Sequence, residues 1–214
     1  MAGFWRLLPA LVRMLPLFHI ALTGAVFGTW TGGLLLVWRN RFSYPRLSAM
    51  EFPPEQLAHP PMVSVLVPAC NEAETVERAM RSLLTLDYPN IEIIAINDRS
   101  TDDTGDILDC LAAGNPCLRV VHIRTLPEGW LGKNHALHIA GREARGEWIL
   151  FTDADVVYRP EALSKAMAYA GQTGADHLVA CPHCRGDNFW ERLFMSYFGL
   201  MFLFRVRPWE VVTR

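Results

Sequence analysis

Formal charge is absent from Met14 to Trp38, whereas after residue 61 short apolar runs alternate with polar stretches of helical period. The first pattern predicts a membrane helix. Arg13 closes it on one side and Arg39 and Arg41 on the other, with His19 the only titratable group between. About 20 apolar residues at ~1.5 Å rise match a hydrocarbon core of roughly 30 Å, so a span over about 16–38 is expected. Trp30 and Trp38 can serve as interfacial aromatics, and Gly24, Gly28, Gly32 and Gly33 are tolerated in such a helix. The run is too long for a signal-peptide core, and no small-x-small cleavage site precedes Arg39. Arg39, Arg41 and Arg46 follow the span against Arg6 and Arg13 before it, which favours a cytosolic C-terminal side.

Pro45, Pro53, Pro54, Pro60 and Pro61 mark residues 43–61 as a linker between an anchor over 1–42 and a domain over 62–214. MVSVLV at 62–67 is a continuous apolar run ending at Pro68, as in a buried parallel strand. A helix is expected from Asn71, with Asn71 as N-cap and Glu74 three residues on. Val76, Ala79, Met80, Leu83 and Leu84 share its apolar face. Further strands are expected over 91–96 (IEIIAI), 118–123 (LRVVHI), 148–152 (WILFT) and 177–180. Further helices are expected over 103–113, over 133–145 and from Pro160, a residue favoured in a first turn.

This alternation predicts an α/β fold, a Rossmann-like, mostly parallel sheet with helices on both faces. Ligands of such sheets bind beyond the carboxyl ends of the strands. Polar clusters stand there: Pro68-Ala69-Cys70-Asn71-Glu72, Asn97-Asp98 and Asp153-Ala154-Asp155.

Composition narrows the partners. Hydrophobic residues make up 51% of the chain and the mean hydropathy is +0.14, values raised by the N-terminal run. A net charge of −2 offers no basic field, which argues against nucleic acid. The five cysteines, an odd number spread through expected strands and helices, argue against a disulfide framework and suit a reducing compartment. No G-x-G-x-x-G follows the first strand, which sets aside a dinucleotide-binding dehydrogenase.

Asp153 and Asp155 alternate with a small residue directly after a hydrophobic strand, so in extended backbone both carboxylates face one side. With no Lys or Arg nearby in sequence they repel unless a cation joins them, and oxygen ligands suit Mg²⁺ or Mn²⁺. A pair of solvated turn aspartates is the bland alternative. Asp98 heads a cluster that can cap the next helix, and its carboxylate can also accept hydrogen bonds from a base or ribose. Lys133 follows Gly132 at a helix start, where the N-terminal dipole and a mobile ammonium can hold a diphosphate.

Four segments, VSVLVPACNEAETVERAMRSLL, IEIIAINDRSTDDTGDIL, GWLGKNHAL and GEWILFTDAD, together resemble the family-2 inverting glycosyltransferases with the GT-A fold. PEGWLGKNHAL further resembles membrane-associated members of hopanoid- and carotenoid-type lipid pathways. The resemblance implies that Pro68, Asn71 and Glu72 line a nucleotide pocket and that Asp98 contacts the base, usually uracil. It implies that Asp153 approaches ribose or metal and that Asp155 coordinates the cation bridging the diphosphate. The cation and Lys133 would then stabilise the leaving nucleoside diphosphate. The expected reaction is metal-dependent transfer, with inversion, from a UDP-sugar to a lipid or lipid-linked acceptor. A single-pass inner-membrane enzyme with its catalytic domain on the cytoplasmic side is the corresponding localisation.

The chain departs from that family after Asp155, where the basic-aromatic motif often found further on is missing. Inversion needs a carboxylate to deprotonate the acceptor, and after Asp155 the acidic residues Glu161, Asp176, Asp187, Glu191 and Glu210 show no acidic pair. The base is therefore expected beyond Arg214, with the domain incomplete and, in one reading, able only to bind donor. A rival reading takes Cys181-Pro182-His183-Cys184 as a thiol-disulfide oxidoreductase site. Four strand-helix units before it and no following cis-proline loop disfavour that context. The aromatic run 188–205 suits either a core helix or an interfacial helix.

Overall fold

The computed structural model describes residues 2–40, 47, 50, 51, 59–183 and 186–206, with the backbone alone at 2–15 and 17. Most of the expected linker lies outside the described residues. The chain forms two compact units, one of residues 1–45 with 183–214 and one of residues 46–182.

The second unit holds a parallel four-stranded sheet. Its strands are β1 (Val63–Ala69), β2 (Ile91–Asp98), β3 (Leu118–Ile123) and β4 (Trp148–Phe151), in spatial order β3-β2-β1-β4. In register, Val63 pairs with Ile91 and with Trp148, and Ile93 with Leu118. Alternation sends Val63, Val65, Val67, Ile93 and Ala95 to one face. There they meet Val76, Met80 and Leu83 of α2 (Val76–Leu84), Leu108 and Leu111 of α3 (Thr104–Ala113) and Leu163 of α5 (Ala162–Thr173). Leu66, Ile94, Ile96 and Ile123 meet Ala136 and Ala140 of α4 (Gly132–Glu143) on the other. Both faces therefore carry helices, as the alternation predicts. α4 does not cover the whole second face, since Ile149 and Phe151 stay 42% and 59% exposed.

Three local expectations are corrected. Asn71 is not a helix cap: α2 begins at Val76 behind Thr75, and Asn71 sits at φ 57 with its side-chain oxygen accepting from the Thr101 N–H at 2.8 Å. Its partner lies across the loops, so the local N-x-x-E pattern misleads. Residues 177–180 form no strand, because no ladder partner joins the free edge of β4 among the described residues and Val179 is 70% exposed. α5 begins at Ala162 with Glu161 as N-cap, so Pro160 precedes the helix.

The first unit contains α1 (Ala2–Asn40) and α6 (Phe189–Val206). Within α1, Phe18–Asn40 is long and apolar enough to cross a membrane. Trp30 of α1 packs on Tyr197 and Phe204 of α6, with ring centroids 6.2 and 6.1 Å apart.

Candidate functional site

Chain order and sheet order together fix where a ligand can enter. The chain steps outward from β1 to β2 to β3, then returns past β1 to form β4. The crossovers consequently fall on opposite faces, α2 and α3 on one and α4 on the other, and the strand order reverses between β1 and β4. A cleft of about 280 Å³ opens there, lined by Pro68, Ala69, Cys70, Glu72, Asp98, Lys133, Asp153, Ala154 and Asp155. Of the donor-binding and metal residues expected from sequence, only Asn71 is not on its wall.

Asn71 acts one layer back. Its N–H donates to Ser100 Oγ at 3.1 Å, and the neighbouring Glu72 N–H donates to Thr104 Oγ1 at 2.8 Å. Ala73 N–H donates to Asp102 Oδ2 at 3.1 Å, while the other Asp102 oxygen accepts from the Thr104 hydroxyl and N–H. These bonds tie the loop after β1 to the loop after β2. The Thr104 hydroxyl bond, with the Ala73 and Thr104 amides, holds the Asp102 carboxyl below its ordinary range. Asp102 thus reaches the first residue of α3, the cap-like role expected of that cluster.

Asp98 ends β2 and is 3% exposed. Arg99 Nε and Nη2 donate to its two oxygens at 2.8 and 3.0 Å, a bidentate pair. The bond to Asp98 raises the Arg99 pKa still further. Arg99 reaches this position because its backbone turns to φ 58, with its N–H donating to Ile123 O at 3.0 Å. A carboxylate offers about four lone-pair sites, so Asp98 keeps acceptor capacity for a ligand after binding Arg99. Gly132 makes the approach feasible, since a Cβ there would stand 2.5 Å from Arg99 Nη2 and 2.8 Å from Asp98 Oδ2. Beyond Arg99 lies a second hollow of about 330 Å³, lined by Asn97, Arg99, Ser100, His122, Ile123 and Arg124. Sequence reasoning missed Arg99 and Gly132 as site residues; a basic residue directly after a strand-end aspartate was the available signal.

Asp153 and Asp155 lie just past β4, exposed on either side of Ala154, which is 3% exposed. Both carboxylates line the cleft while the small residue between them anchors the turn. Lys133, in the uncapped first turn of α4, places its ammonium 2.5 Å from Asp153 Oδ1. No Lys or Arg is near the aspartates in sequence, and the fold supplies one from 20 residues away. Tyr158 packs nearby with its pKa raised by burial and by the charge of Asp153, against a hydrogen bond with Thr152.

The donor set fits one kind of cation. Among the described residues no third His, Cys, Asp or Glu joins the two aspartates. Two carboxylates on an open rim suit a hard ion such as Mg²⁺ or Mn²⁺, which keeps positions for water and phosphate oxygens, and do not suit a closed all-protein cage. The redox reading loses the strand it needs: among the described residues, those leading into the exposed Cys181, 177–180, form no strand. Cys184 lies outside the described residues.

Comparison with known proteins bears on the same region. The family described as "Glycosyl transferase family 2" matches residues 64–211. The beta-monoglucosyldiacylglycerol synthase of Synechocystis sp. (strain ATCC 27184 / PCC 6803 / Kazusa) is 31% identical over 180 residues, 76% of this chain and 37% of that protein. The poly-beta-1,6-N-acetyl-D-glucosamine synthase of Staphylococcus epidermidis is 36% identical over 100 residues, 47% of this chain and 23% of that one. The chain thus spans less than half the length of these relatives. Among solved structures, the mannosyltransferase PcManGT of Pyrobaculum calidifontis, in complex with GDP-Man and Mn²⁺, superposes with a TM-score of 0.55. It is 32% identical, with 71% of this chain and 42% of that one covered.

Proposed function

The chain belongs to glycosyl transferase family 2, and from that premise we propose that its cleft binds a nucleotide-sugar, foremost a UDP-sugar, for transfer with inversion to a lipid or lipid-linked acceptor. The observation that carries this reading is the gathering of Glu72, Asp98, Lys133, Asp153 and Asp155 in one cleft at the sheet's switch point. Asp98 and the Arg99 it holds would orient the base. Pro68 and Glu72 would form the wall toward the nucleoside, with Asn71 positioning that wall through Thr101 and Ser100.

Asp153 and Asp155 would hold a Mg²⁺ or Mn²⁺, and that ion when bound neutralises diphosphate charge and so favours its departure. Lys133 would exchange Asp153 for a diphosphate oxygen, its side chain being 61% exposed and its stem flexible, so that the ammonium is free to turn. The first-turn N–H groups of α4 would face the same charge. No cleft carboxylate is assigned the deprotonation of the acceptor: Asp153 and Asp155 serve the metal, Asp98 is tied to Arg99, and Glu72 accepts from the Thr75 hydroxyl at 2.9 Å on the nucleoside wall. We place that base outside these residues.

The membrane part of the proposal rests on Phe18–Asn40 and on arginines 39, 41 and 46 at and beyond its C-terminal end, which favour the domain on the cytoplasmic side of the inner membrane. A lipid acceptor is supported by the relative named beta-monoglucosyldiacylglycerol synthase and by the membrane anchor itself. Photolabelling of membranes carrying the chain with an azido-UDP-sugar tests the donor assignment. Labelling should be competed by UDP and abolished by EDTA and by Asp155→Ala; labelling indifferent to both would defeat the proposal.

A further inference from the structure

We infer that α6 is a second membrane element, an interfacial helix whose aromatic arc lies in the bilayer that α1 crosses. The inference rests on the proposed anchoring of α1.

At 100° per residue, Gly199, Arg192 and Ser196 of α6 fall within about 60° of one another, a narrow strip that also takes in Leu203. Phe189, Leu193, Tyr197, Trp190, Phe194, Phe198 and Phe202 sweep the rest of the circumference. These side chains are not buried in the protein: Trp190 is 73% exposed, Phe194 62% and Phe198 61%. Such an expanse exceeds what a water-facing helix carries without a purpose.

What covers it follows from where α6 is seated. Its C-terminal half packs on the apolar segment of α1, Phe204 reaching Gly33 so closely that a Cβ there would stand 2.6 Å from the ring. A helix docked on α1 at Trp30 and Gly33 sits past the midpoint of the bilayer-crossing segment, toward its C-terminal end. It lies within the bilayer on the side of one surface, so the aromatics it turns away from α1 meet lipid. Helix–helix contact through a glycine is the usual means of close approach in lipid.

Length decides between crossing and lying at the surface. The uncharged run 193–204 is about 18 Å long at ~1.5 Å per residue, short of the roughly 30 Å core, and it is bounded by Glu191 and Arg192 before it and Arg205 after it. A run of that length with charged ends is an interfacial or re-entrant helix. Trp190 and Tyr197 suit the headgroup boundary, where an aromatic ring can be half apolar and half wet.

The test is carbene photolabelling of the whole chain in phosphatidylglycerol–phosphatidylcholine vesicles, using a diazirine reagent dissolved in the bilayer and mass spectrometry of the peptides. Label is expected on α1 within 18–40 and on α6 within 193–204, and absent from β1 and β2. Labelled α1 with unlabelled α6 would overturn this inference and leave the anchor intact. Label on neither helix would remove the anchor itself and the inference with it. Phe194→Glu with Phe198→Glu should cut α6 labelling severalfold while α1 stays labelled; unchanged α6 labelling would contradict the aromatic arc as the lipid-facing surface.

Discussion

Lys133 Nζ, from the first turn of α4, stands 2.5 Å from Oδ1 of Asp153, past the end of β4. One side chain is thereby the counter-ion of a carboxylate assigned to the metal and the ammonium assigned to the diphosphate. With both partners more than half exposed, the pair is worth only about 0–1 kcal/mol, so a donor can exchange it.

Lys133→Met should therefore act with opposite signs on two ligands. Affinity for Mn²⁺ alone should rise a fewfold, because the competing ammonium is gone. Affinity for UDP with Mn²⁺ should fall about tenfold, the scale of one lost charge-assisted hydrogen bond. Thermal stability should change little. Titrations of the variant with each ligand check this, and parallel losses would contradict the exchange.

Gly132→Ala probes the seat of the base. The added methyl would meet Arg99 Nη2 and Asp98 Oδ2 inside van der Waals distance, so the bidentate pair must shift. Arg99 can give way at its flexible end. Stability should thus fall by less than about 1 kcal/mol, while UDP affinity falls roughly tenfold. Calorimetric titration beside a melting curve separates the two effects.

Gly146→Ala should do the reverse. Its Cβ would stand 2.5 Å from the Ser64 backbone nitrogen and 2.8 Å from the Trp148 carbonyl oxygen, neither of which can rotate away. A loss of about 1–3 kcal/mol is expected from such overpacking. Denaturant unfolding measures it, and the folded fraction should bind UDP normally.

Acid sensitivity should trace to Glu92. Burial would raise its carboxyl, yet hydrogen bonds from Ser64 Oγ and the Arg145 N–H, with the charges of Arg119 and Arg145, bring it below the ordinary value. A depressed native pKa gives stability that is present above about pH 4.3 and is lost as pH falls through the native value. Glu92→Gln should hence be less stable than the parent at pH 7, with the gap closing as pH falls below about 4.3 and through the native value. Melting temperatures across that range test the sign.

The fold was legible where period and burial agree. The runs at 91–96 and 118–123 emerge as β2 and β3, and the helix expected over 103–113 is found at Thr104–Ala113. Legibility failed where a partner lies far along the chain. Asn71 imitates a capping box locally, but its left-handed backbone is fixed by Thr101, 30 residues on. Residues 177–180 carry strand-forming side chains with no neighbour to pair with, and β propensity without a ladder is not a strand. The Lys133–Asp153 pair bridges two elements that only the sheet order brings together. The site residues were visible one by one, Arg99 and Gly132 excepted; their joint geometry came from topology.

The central claim is metal-dependent binding of a nucleoside diphosphate between the ends of β1 and β4. Calorimetric titration of the detergent-solubilised chain with UDP and with GDP, with and without Mn²⁺, beside Asp155→Ala, tests it most directly. The account predicts binding that requires Mn²⁺ and disappears in the variant, with UDP the tighter ligand. A folded chain that binds neither nucleotide, or binds equally well without metal and without Asp155, would contradict it.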